Sequence, residues 1–428
     1  MAEETKVFGM KAESGRWLYV ILGLIINLCL GTVYAWSVFK TPLQKLWGVG
    51  AFQSSLPFTV FLAFFAILMP FAGRLLDKFS PRAVAVAGGI IMSVGWIISK
   101  FAPNMTVLTI TYGIIAGGGV GIIYGVPIAV STRWFPDKKG LAVGLTVGGF
   151  GVSALFTAPV ASWLIGPAEK ALAILWIPIR SSSPAVGPLL TFEYLGLAFL
   201  IITVLLSLPL AFPPAGWKPK GWQPTAAAGA ALDLTPGEMV KTPAFYGVWL
   251  CFIIGALAGL TAIGIAKPCG MELTACPEVL ATTAVSIFAI FNGVGRPIFG
   301  WLTDKLTPKY AAVLSFVIIL LASLAMMIAS AGQELLWIIA FCGFWLCLGG
   351  WLAIAPTSNA TFFGAKNAAK NYGIVFSAYG IGAIIGNLTS GYMKDWLGGF
   401  RPTFYMTGGL ALLGVIIALA LMKPPAKK

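Results

Sequence analysis

One arginine stands alone in the apolar part of this sequence. Arg296 lies within the apolar run Val279–Thr303, and none of the other long apolar runs contains a charged residue. Placing an arginine inside a membrane costs roughly 3 kcal/mol on insertion scales, so such a residue usually faces a cavity or a partner. A guanidinium can donate two parallel hydrogen bonds to a carboxylate. Arg296 is therefore predicted to bind an organic acid; the alternative is a side chain that snorkels to the membrane interface.

The composition of the chain indicates that its solvent is lipid. Of 428 residues, 58% are hydrophobic and only 10% are charged, and the mean hydropathy is +0.91. A soluble protein carries about 25% charged residues. A soluble enzyme, a nucleic-acid binder and a disordered regulator are therefore excluded. The sequence has no histidine and its six cysteines show no C-x-x-C spacing, so no metal site, redox motif or cofactor is expected.

Twelve apolar runs, uncharged apart from Arg296, are long enough to cross a bilayer, because a spanning helix needs about 20 apolar residues. Of the lysines and arginines between the runs, 19 fall on the side of both termini and 8 on the other side. Both termini are thus predicted to be cytoplasmic, in the cytoplasmic membrane of a prokaryote. The expected fold class is an all-α membrane protein with twelve transmembrane helices. The runs are Trp17–Phe39, Leu46–Gly73, Ala83–Ser99, Phe101–Thr132, Gly140–Ala168, Tyr194–Trp217, Thr242–Ala266, Val279–Thr303, Tyr310–Gln333, Leu335–Ala365, Asn371–Met393 and Pro402–Met422.

A hydrophilic stretch divides the twelve runs into two sets of six. Residues 1–212 are predicted to form one bundle, residues 213–243 a cytoplasmic linker and residues 244–428 the second bundle. A motif recurs after the second and eighth runs, as G-R-L-L-D-K-F-S-P-R at 73–82 and G-W-L-T-D-K-L-T-P-K at 300–309. Two copies in this register indicate a duplicated six-helix unit. The charged residues of the motif are predicted to serve gating, namely Asp77, Arg82, Asp304 and Lys309.

These repeated loops resemble the signature loop of the major facilitator superfamily, whose members have twelve helices in two halves. The run R-W-F-P-D-K-K-G-L-A-V-G at 133–144 is similar to oxalate/formate antiporters and their relatives, the monocarboxylate transporters. The strings F-N-G-V-G-R-P at 291–297 and N-Y-G at 371–373 resemble the same families. The resemblance implies a transporter that works by alternating access. It also implies a protein that functions as a monomer and is not an enzyme.

The resemblance extends to individual residues of a central site. In these families, the arginine at the position of Arg296 binds the substrate carboxylate, and tyrosines at the positions of Tyr34 and Tyr124 line the cavity. Asn292 lies one helical turn before Arg296, where monocarboxylate transporters often have an aspartate. Tyr379 stands where oxalate/formate exchangers carry a lysine, so one expected cation is missing. For each tyrosine, packing in the core or at the membrane interface is the alternative.

These residues favour transport of a small monocarboxylate such as lactate or pyruvate, because one guanidinium matches one carboxylate. No acidic residue lies in the apolar runs, so the substrate is expected to cross together with a proton. An anion exchanger of the oxalate/formate type is the alternative, and a passive channel or a membrane sensor is a more distant one. Three apolar residues are candidates for the cavity wall, although lipid-facing or core packing also explains them: Leu145, Phe376 and Trp351.

Three further expectations concern packing, covalent structure and a short apolar segment. Glycines at four-residue spacing in the fourth and fifth runs, at 113–125 and 140–148, are expected to allow close helix contacts. Cys269 and Cys276 fall in a connection predicted to face the outside, where a disulfide between them can form. The segment Ala171–Ile179 is too short to cross the membrane and is expected to be interfacial or a loop.

Overall fold

The twelve expected helices are present. A computed structural model describes residues 6–166, 172–174, 177–179, 186–220, 233–364 and 367–425. We number the spans α1 to α12 and call the end of the bundle that carries residues 6 and 425 the inner end. The spans are α1 Ala12–Trp47, α2 Ala51–Leu76, α3 Pro81–Phe101, α4 Met105–Trp134, α5 Lys139–Ile165, α6 Gly187–Ser207, α7 Pro243–Leu273, α8 278–306, α9 308–328, α10 Glu334–Phe363, α11 Ala368–Val375 with Ser377–Trp396, and α12 Arg401–Leu421.

Two antiparallel hairpins and a one-turn helix complete the described structure. Strand β1 (Lys6–Val7) pairs with β2 (Met10–Lys11), and β3 (Leu172–Ile174) pairs with β4 (Ile177–Ile179). The one-turn helix, Pro236–Met239, precedes α7. The second hairpin lies within the segment 171–179, whose interfacial position stays a prediction. Pairing satisfies backbone groups in a segment too short to span; residues 171, 175 and 176 lie outside the described residues.

A single non-helical residue separates α8 from α9. Thr307 has φ 72° and ψ 156°, and Pro308 begins the next helix. This backbone region is sterically open almost only to glycine. The matching residue in the first copy of the motif, Ser80, has φ −65°, and its hydroxyl accepts a hydrogen bond from the Ala83 N–H. The two copies therefore turn differently, and the second one carries backbone strain.

Relief of this strain is measurable. Thr307→Gly is expected to raise the free energy of unfolding by about 1 kcal/mol, because glycine adopts the observed φ without steric cost. The matched variant Ser80→Gly removes a helix cap and is expected to lower stability by a few tenths of a kcal/mol. Thermal unfolding of both purified proteins in one detergent gives the comparison. A lower melting temperature for Thr307→Gly than for the unmodified protein contradicts the strain.

The helices extend beyond the uncharged runs, so the expectation that Arg296 is the only charge within a span is wrong. Lys40 lies in α1, is 1% exposed, and donates a 2.8 Å hydrogen bond to the Ser55 hydroxyl of α2. Lys267 lies in α7 and forms a 3.0 Å ion pair with Glu278 at the start of α8. Each ammonium group has a hydrogen-bonding partner on a neighbouring helix, and the helix continues past it.

The expected disulfide between Cys269 and Cys276 is also absent, because both thiols are free. The uncharged run ended at Ala266, but α7 continues to Leu273 and places Cys269 inside the helix, where it is fully buried. Cys276 lies beyond the helix end, and its thiol faces the carbonyl oxygen of Pro277 at 3.6 Å. The two residues thus belong to different elements and their side chains have separate surroundings.

The two halves contact each other through α2 with α11 and through α5 with α8. At the outer end, the Asp395 carboxylate of α11 accepts hydrogen bonds of 2.7 Å from the Ala51 and Phe52 N–H groups that begin α2. Such a carboxylate satisfies backbone donors that a helix start leaves free. Toward the inner end, a Cβ atom on Gly373 would lie 3.2 Å from Pro70. Helix α2 therefore touches α11 at both ends.

The glycine stripes of α4 and α5 behave differently. A Cβ atom on Gly117 or Gly121 would collide with the backbone of α2, which confirms close packing there. In α5, by contrast, a Cβ atom on Gly144 or Gly148 would have no neighbour within 4 Å. The expected close contact at these two glycines is wrong. The absence of side chains instead leaves open space beside α5, on the face that also contains Gly151.

The motif at 133–144 joins the inner ends of α1 and α4. Arg16 donates bonds of 2.6 and 2.8 Å to the two carboxylate oxygens of Asp137 and a third, of 3.0 Å, to the Trp134 carbonyl. Its guanidinium also lies 4.4 Å from the Phe135 ring centre. The hydrogen bonds from Arg16 lower the pKa of Asp137 below its ordinary value. This contact therefore contributes stability at neutral pH, and the contribution is lost as the pH falls through the lowered pKa.

Candidate functional site

Arg296 lies in the middle of the molecule with part of its guanidinium unpartnered. The side chain projects from α8 toward α5 of the other half, is 4% exposed, and donates a 2.6 Å bond from Nη1 to the Val147 carbonyl oxygen. Its Nε and Nη2 atoms are buried without a hydrogen-bond partner. These two atoms form one edge of the planar guanidinium, the edge that pairs with both oxygens of a carboxylate. Arg296 is thus anchored on one side and free on the other.

This position speaks against the snorkelling alternative. A snorkelling arginine reaches water or lipid headgroups with its charged end. In Arg296 that end contacts a backbone carbonyl of the opposite half, and two of its nitrogens are shielded from solvent. Unpaired buried donors are costly, by about 1–3 kcal/mol each and more for charged groups. An arrangement that retains two of them is suited to an anionic ligand that arrives during the working cycle.

Asn292 and Gly151 lie next to the free edge. Asn292 is fully buried, and its Nδ2 atom donates a 3.1 Å bond to the Trp345 carbonyl oxygen, while Oδ1 has no partner. A Cβ atom on Gly151 of α5 would lie 3.0 Å from Asn292 Oδ1 and 3.2 Å from Arg296 Nε. The amide oxygen and the guanidinium edge therefore both pack closely against Gly151, and a side chain at residue 151 would crowd them.

Two of the expected tyrosines meet across the halves. The hydroxyl oxygens of Tyr34 (α1) and Tyr379 (α11) lie 2.8 Å apart and share a hydrogen bond. The Tyr379 ring stacks on Phe376 with a centroid distance of 5.0 Å and an angle of 15°. Phe65 of α2 contacts the same ring at 5.9 Å. This aromatic cluster connects the two halves near the Arg296 level, and the expected site residues Tyr34, Phe376 and Tyr379 all belong to it.

The remaining expected residues occupy different surroundings. Tyr124 is buried, its phenol lies near the Arg296 guanidinium, and its ring contacts Phe65 at 5.0 Å. Trp351 is fully buried but stacks on Phe252, which separates it by one aromatic layer from Tyr379. Leu145 is 43% exposed and lies outside the buried cluster. The structure thus brings together Arg296, Asn292, Tyr34, Tyr124, Phe376 and Tyr379, and the assignment of Leu145 and Trp351 to the cavity wall stays a prediction.

Comparison with known proteins gives the family. A sequence model of the Major Facilitator Superfamily matches residues 20–362 and 280–428. The chain belongs to the major facilitator superfamily. It is 30% identical to the oxalate:formate antiporter of Oxalobacter formigenes, over 87% of this chain and 83% of that protein. It is 24% identical to monocarboxylate transporter 13 of Rattus norvegicus, over 95% of this chain and 88% of that protein.

The fold comparison agrees with the sequence comparison. A bacterial homologue of the human lysosomal transporter Spinster, in an inward-facing and unoccupied conformation, superposes with a TM-score of 0.71 at 18% identity. The alignment covers 95% of this chain and 97% of that one. As a member of the major facilitator superfamily, this protein is a multi-pass membrane transporter and not an enzyme, as the resemblance of its signature loops implied.

The signature-loop residues of this superfamily member lie at the inner end, away from Arg296. Asp77, Arg82 and Asp304 are exposed, and within the part of the chain that the structure describes the two aspartates form no ion pair. Lys309 lies 4.6 Å from the Tyr310 ring centre. Asp304 and Lys309 also line a pocket of about 480 Å³ together with the inner end of α10. Their assignment to gating remains a prediction.

This assignment has a testable consequence. Asp77→Asn is expected to slow transport several-fold while the substrate dissociation constant stays within a few-fold of the original value. The Asp77 carboxylate lies in an exposed turn after α2 and is far along the chain from Arg296, whose guanidinium would contact the substrate. Uptake rates in proteoliposomes and equilibrium binding to purified protein, measured on the same preparation, separate the two effects. Loss of binding in a folded Asp77→Asn protein contradicts the gating role.

Sequence reasoning missed several buried polar residues and contacts. Lys40 and Lys267 were assigned to connections, yet they are separated by 227 positions, the same offset as Gly73 and Gly300 of the repeated motif. The shared offset was the signal that could have identified them as matching residues of α1 and α7.

The contacts of the Val147 carbonyl and of Gly151 had no such signal in the sequence. A backbone oxygen and a glycine become functional only through the neighbours that the fold places beside them.

Proposed function

We propose that this transporter is a secondary active carrier of small monocarboxylates such as lactate or pyruvate, moved by alternating access together with a proton. The observation that carries the proposal is the buried Nε–Nη2 edge of Arg296, which has no partner among the described residues. One such edge pairs with one carboxylate. The proposal places the protein in a prokaryotic cytoplasmic membrane with both termini inside, and the bundles 1–212 and 244–428 move against each other within a monomer.

The charge balance of the site couples closure to the binding of a carboxylate. Among the described residues, Arg296 forms no ion pair with an acid. An empty site therefore leaves an uncompensated cation, which resists closure in a dry environment. A bound carboxylate makes the pair neutral and permits closure. Arginine does not release its proton in proteins, so a proton that crosses with the substrate anion has to be held at a group other than Arg296 and the carboxylate paired with it.

Exchange of the oxalate/formate type is the second candidate, and it is supported by the 30% identity to the oxalate:formate antiporter. Tyr379 counts against oxalate as the preferred substrate. A dicarboxylate carries two negative charges and is matched best by two cations. Tyr379 packs between the halves near Arg296 and is neutral, whereas oxalate/formate exchangers carry a lysine at its position. The two buried lysines Lys40 and Lys267 have other partners, the Ser55 hydroxyl and Glu278 respectively.

The test is net uptake of radiolabelled lactate into proteoliposomes that contain no internal substrate. Under an inward proton gradient, accumulation is expected to exceed the equilibrium level and to collapse when a protonophore is added. Vesicles without protein and vesicles with Arg296→Ala serve as controls. Accumulation that requires an internal anion and ignores the gradient would identify an exchanger, and uptake that neither saturates nor shows counterflow would indicate a channel.

A further inference from the structure

Helix α2 begins without a cap of its own. Gly50, which precedes its first residue, has no side chain, and the first turn contains no acidic residue. Asp395 of α11 supplies the cap from the opposite half: its carboxylate accepts bonds of 2.7 Å from the N–H groups of Ala51 and Phe52. A Cβ atom on Gly50 would lie 2.5 Å from Asp395 Oδ2, so the glycine is needed for this approach. The cap of α2 is therefore a contact between the halves.

The corresponding start of α8 has an acid of its own. The offset of the repeated motif, 227 residues, relates Ala51 to Glu278, which is the first residue of α8. A negative charge in the first turn of a helix is favourable because the N–H groups there carry positive partial charge. Glu278 also forms an ion pair with Lys267 of the same half. The start of α8 thus has its acid within its own half, whereas the start of α2 receives one from the other half.

The cap lies where the two halves close the outer end. One helical turn before Asp395, a Cβ atom on Gly391 would lie 2.7 Å from the Phe52 Cα atom, so the backbones of α11 and α2 are in direct contact there. In alternating access, these ends have to separate before a substrate enters from the outer side. After separation, only water is left to accept hydrogen bonds from the start of α2. The cap thus stabilises the closed outer end and contributes nothing to the open one.

We propose that Asp395 biases the transporter toward the conformation in which its outer end is closed, by capping α2 across the halves. The inference rests on the alternating access of the proposed function, but not on its substrate. A group that stabilises one of two conformations shifts their populations by its differential contribution. Loss of an aspartate cap changes an equilibrium constant by about fivefold, so Asp395→Ala is expected to raise the open fraction about three- to tenfold.

The open fraction is measurable as the rate at which a buried thiol is alkylated from outside. Phe58 of α2 is fully buried, and its ring lies 3.2 Å from a Cβ position on Gly264 of α7 in the opposite half. In Phe58→Cys, a membrane-impermeant maleimide added to intact cells reaches the thiol only while the outer end is open. The unmodified protein gives the background, which is low because its six cysteines are buried. Adding Asp395→Ala is expected to raise the rate about three- to tenfold.

Two variants separate a contact between the halves from a structural effect. Glu272→Ala is the first, since Glu272 also accepts a backbone bond, at 2.8 Å from the Phe400 N–H, and pairs with Lys394, but within one half. It should leave the alkylation rate within about twofold of the rate without it. The second variant adds Gly50→Asp to Asp395→Ala. This gives α2 a cap in both conformations, so the melting temperature should recover while the alkylation rate stays raised.

Three results overturn the proposal: an unchanged rate with Asp395→Ala, an equal increase with Glu272→Ala, or a rate that returns to its original value with Gly50→Asp. Failure of the proposed function gives a different pattern. If the protein transports no monocarboxylate, the increase with Asp395→Ala still appears, because the alkylation does not depend on substrate. If no variant is alkylated at all, the outer end does not open, and alternating access and the role of Asp395 are both wrong.

Discussion

Arg296→Ala is expected to abolish uptake of monocarboxylates, and Arg296→Lys to leave only a small fraction of it. Removing one partner of a buried, hydrogen-bonded charge pair costs about 2–5 kcal/mol, which corresponds to roughly 30- to 5,000-fold in affinity. A lysine retains the charge, but its ammonium is a point donor that cannot reproduce the parallel pair of bonds from Nε and Nη2. Initial rates of lactate uptake and equilibrium binding are the measurements.

The lysine variant separates charge from geometry. If a positive charge alone were sufficient, Arg296→Lys would transport at a rate near that of the original protein. The bond from Nη1 to the Val147 carbonyl oxygen also joins the two halves, so a structural effect must be excluded. Arg401→Ala is a suitable control because Arg401 also donates to backbone carbonyls, at 2.8 and 2.7 Å, but lies at the start of α12. Normal transport by Arg296→Ala contradicts the assignment of the site.

Tyr379→Lys is expected to change selectivity toward dicarboxylates. The tyrosine is buried, belongs to the aromatic cluster between the halves, and shares a hydrogen bond with Tyr34 across them. A lysine at this position adds a second positive charge near Arg296. The two charges together then match a dicarboxylate better than a monocarboxylate. Competition by oxalate against radiolabelled lactate is the measurement, and the inhibitory concentration of oxalate is expected to fall at least about tenfold relative to that of lactate.

The control for this change is Tyr379→Phe. It removes the hydroxyl bond to Tyr34 without adding charge and keeps the ring that stacks on Phe376. Its ratio of oxalate to lactate inhibition should therefore remain that of the original protein. An unchanged ratio in a folded, membrane-inserted Tyr379→Lys protein would place Tyr379 outside the substrate site. The cluster would then serve only the contact between the halves.

The helix count and the position of the critical arginine were readable from the sequence because the membrane imposes them locally. Every spanning segment must hide its backbone in a helix about 20 residues long, and any charge within it is conspicuous. Arg296 and the repeated loops at 73–82 and 300–309 therefore indicated the fold class without any knowledge of tertiary contacts. The comparisons with known proteins confirmed the superfamily.

The first and last residues of each helix could not be predicted from the sequence, because a charged residue does not end a helix when another element supplies a hydrogen-bonding partner. Lys40 is held by Ser55 from α2 and Lys267 by Glu278 from α8. The expected disulfide is absent for the same reason: α7 continues beyond the uncharged run through Cys269 and buries its thiol. An uncharged run therefore gives the minimum length of a span, while tertiary partners determine how far beyond it the helix extends.

The sequence by itself determined that Arg296 would lie within an apolar run, because the cost of charge in lipid depends on residue type and position along a span. Only the tertiary structure decided which atoms of that cation are available. The Val147 carbonyl oxygen of the opposite half accepts a hydrogen bond from Nη1, while Nε and Nη2 have no partner. Because residue 151 is a glycine, Nε and the amide oxygen of Asn292 can both pack against it. Hydrogen-bond partners 149 residues apart have no signature in local spacing. Their pairing depends on how the two bundles pack against each other.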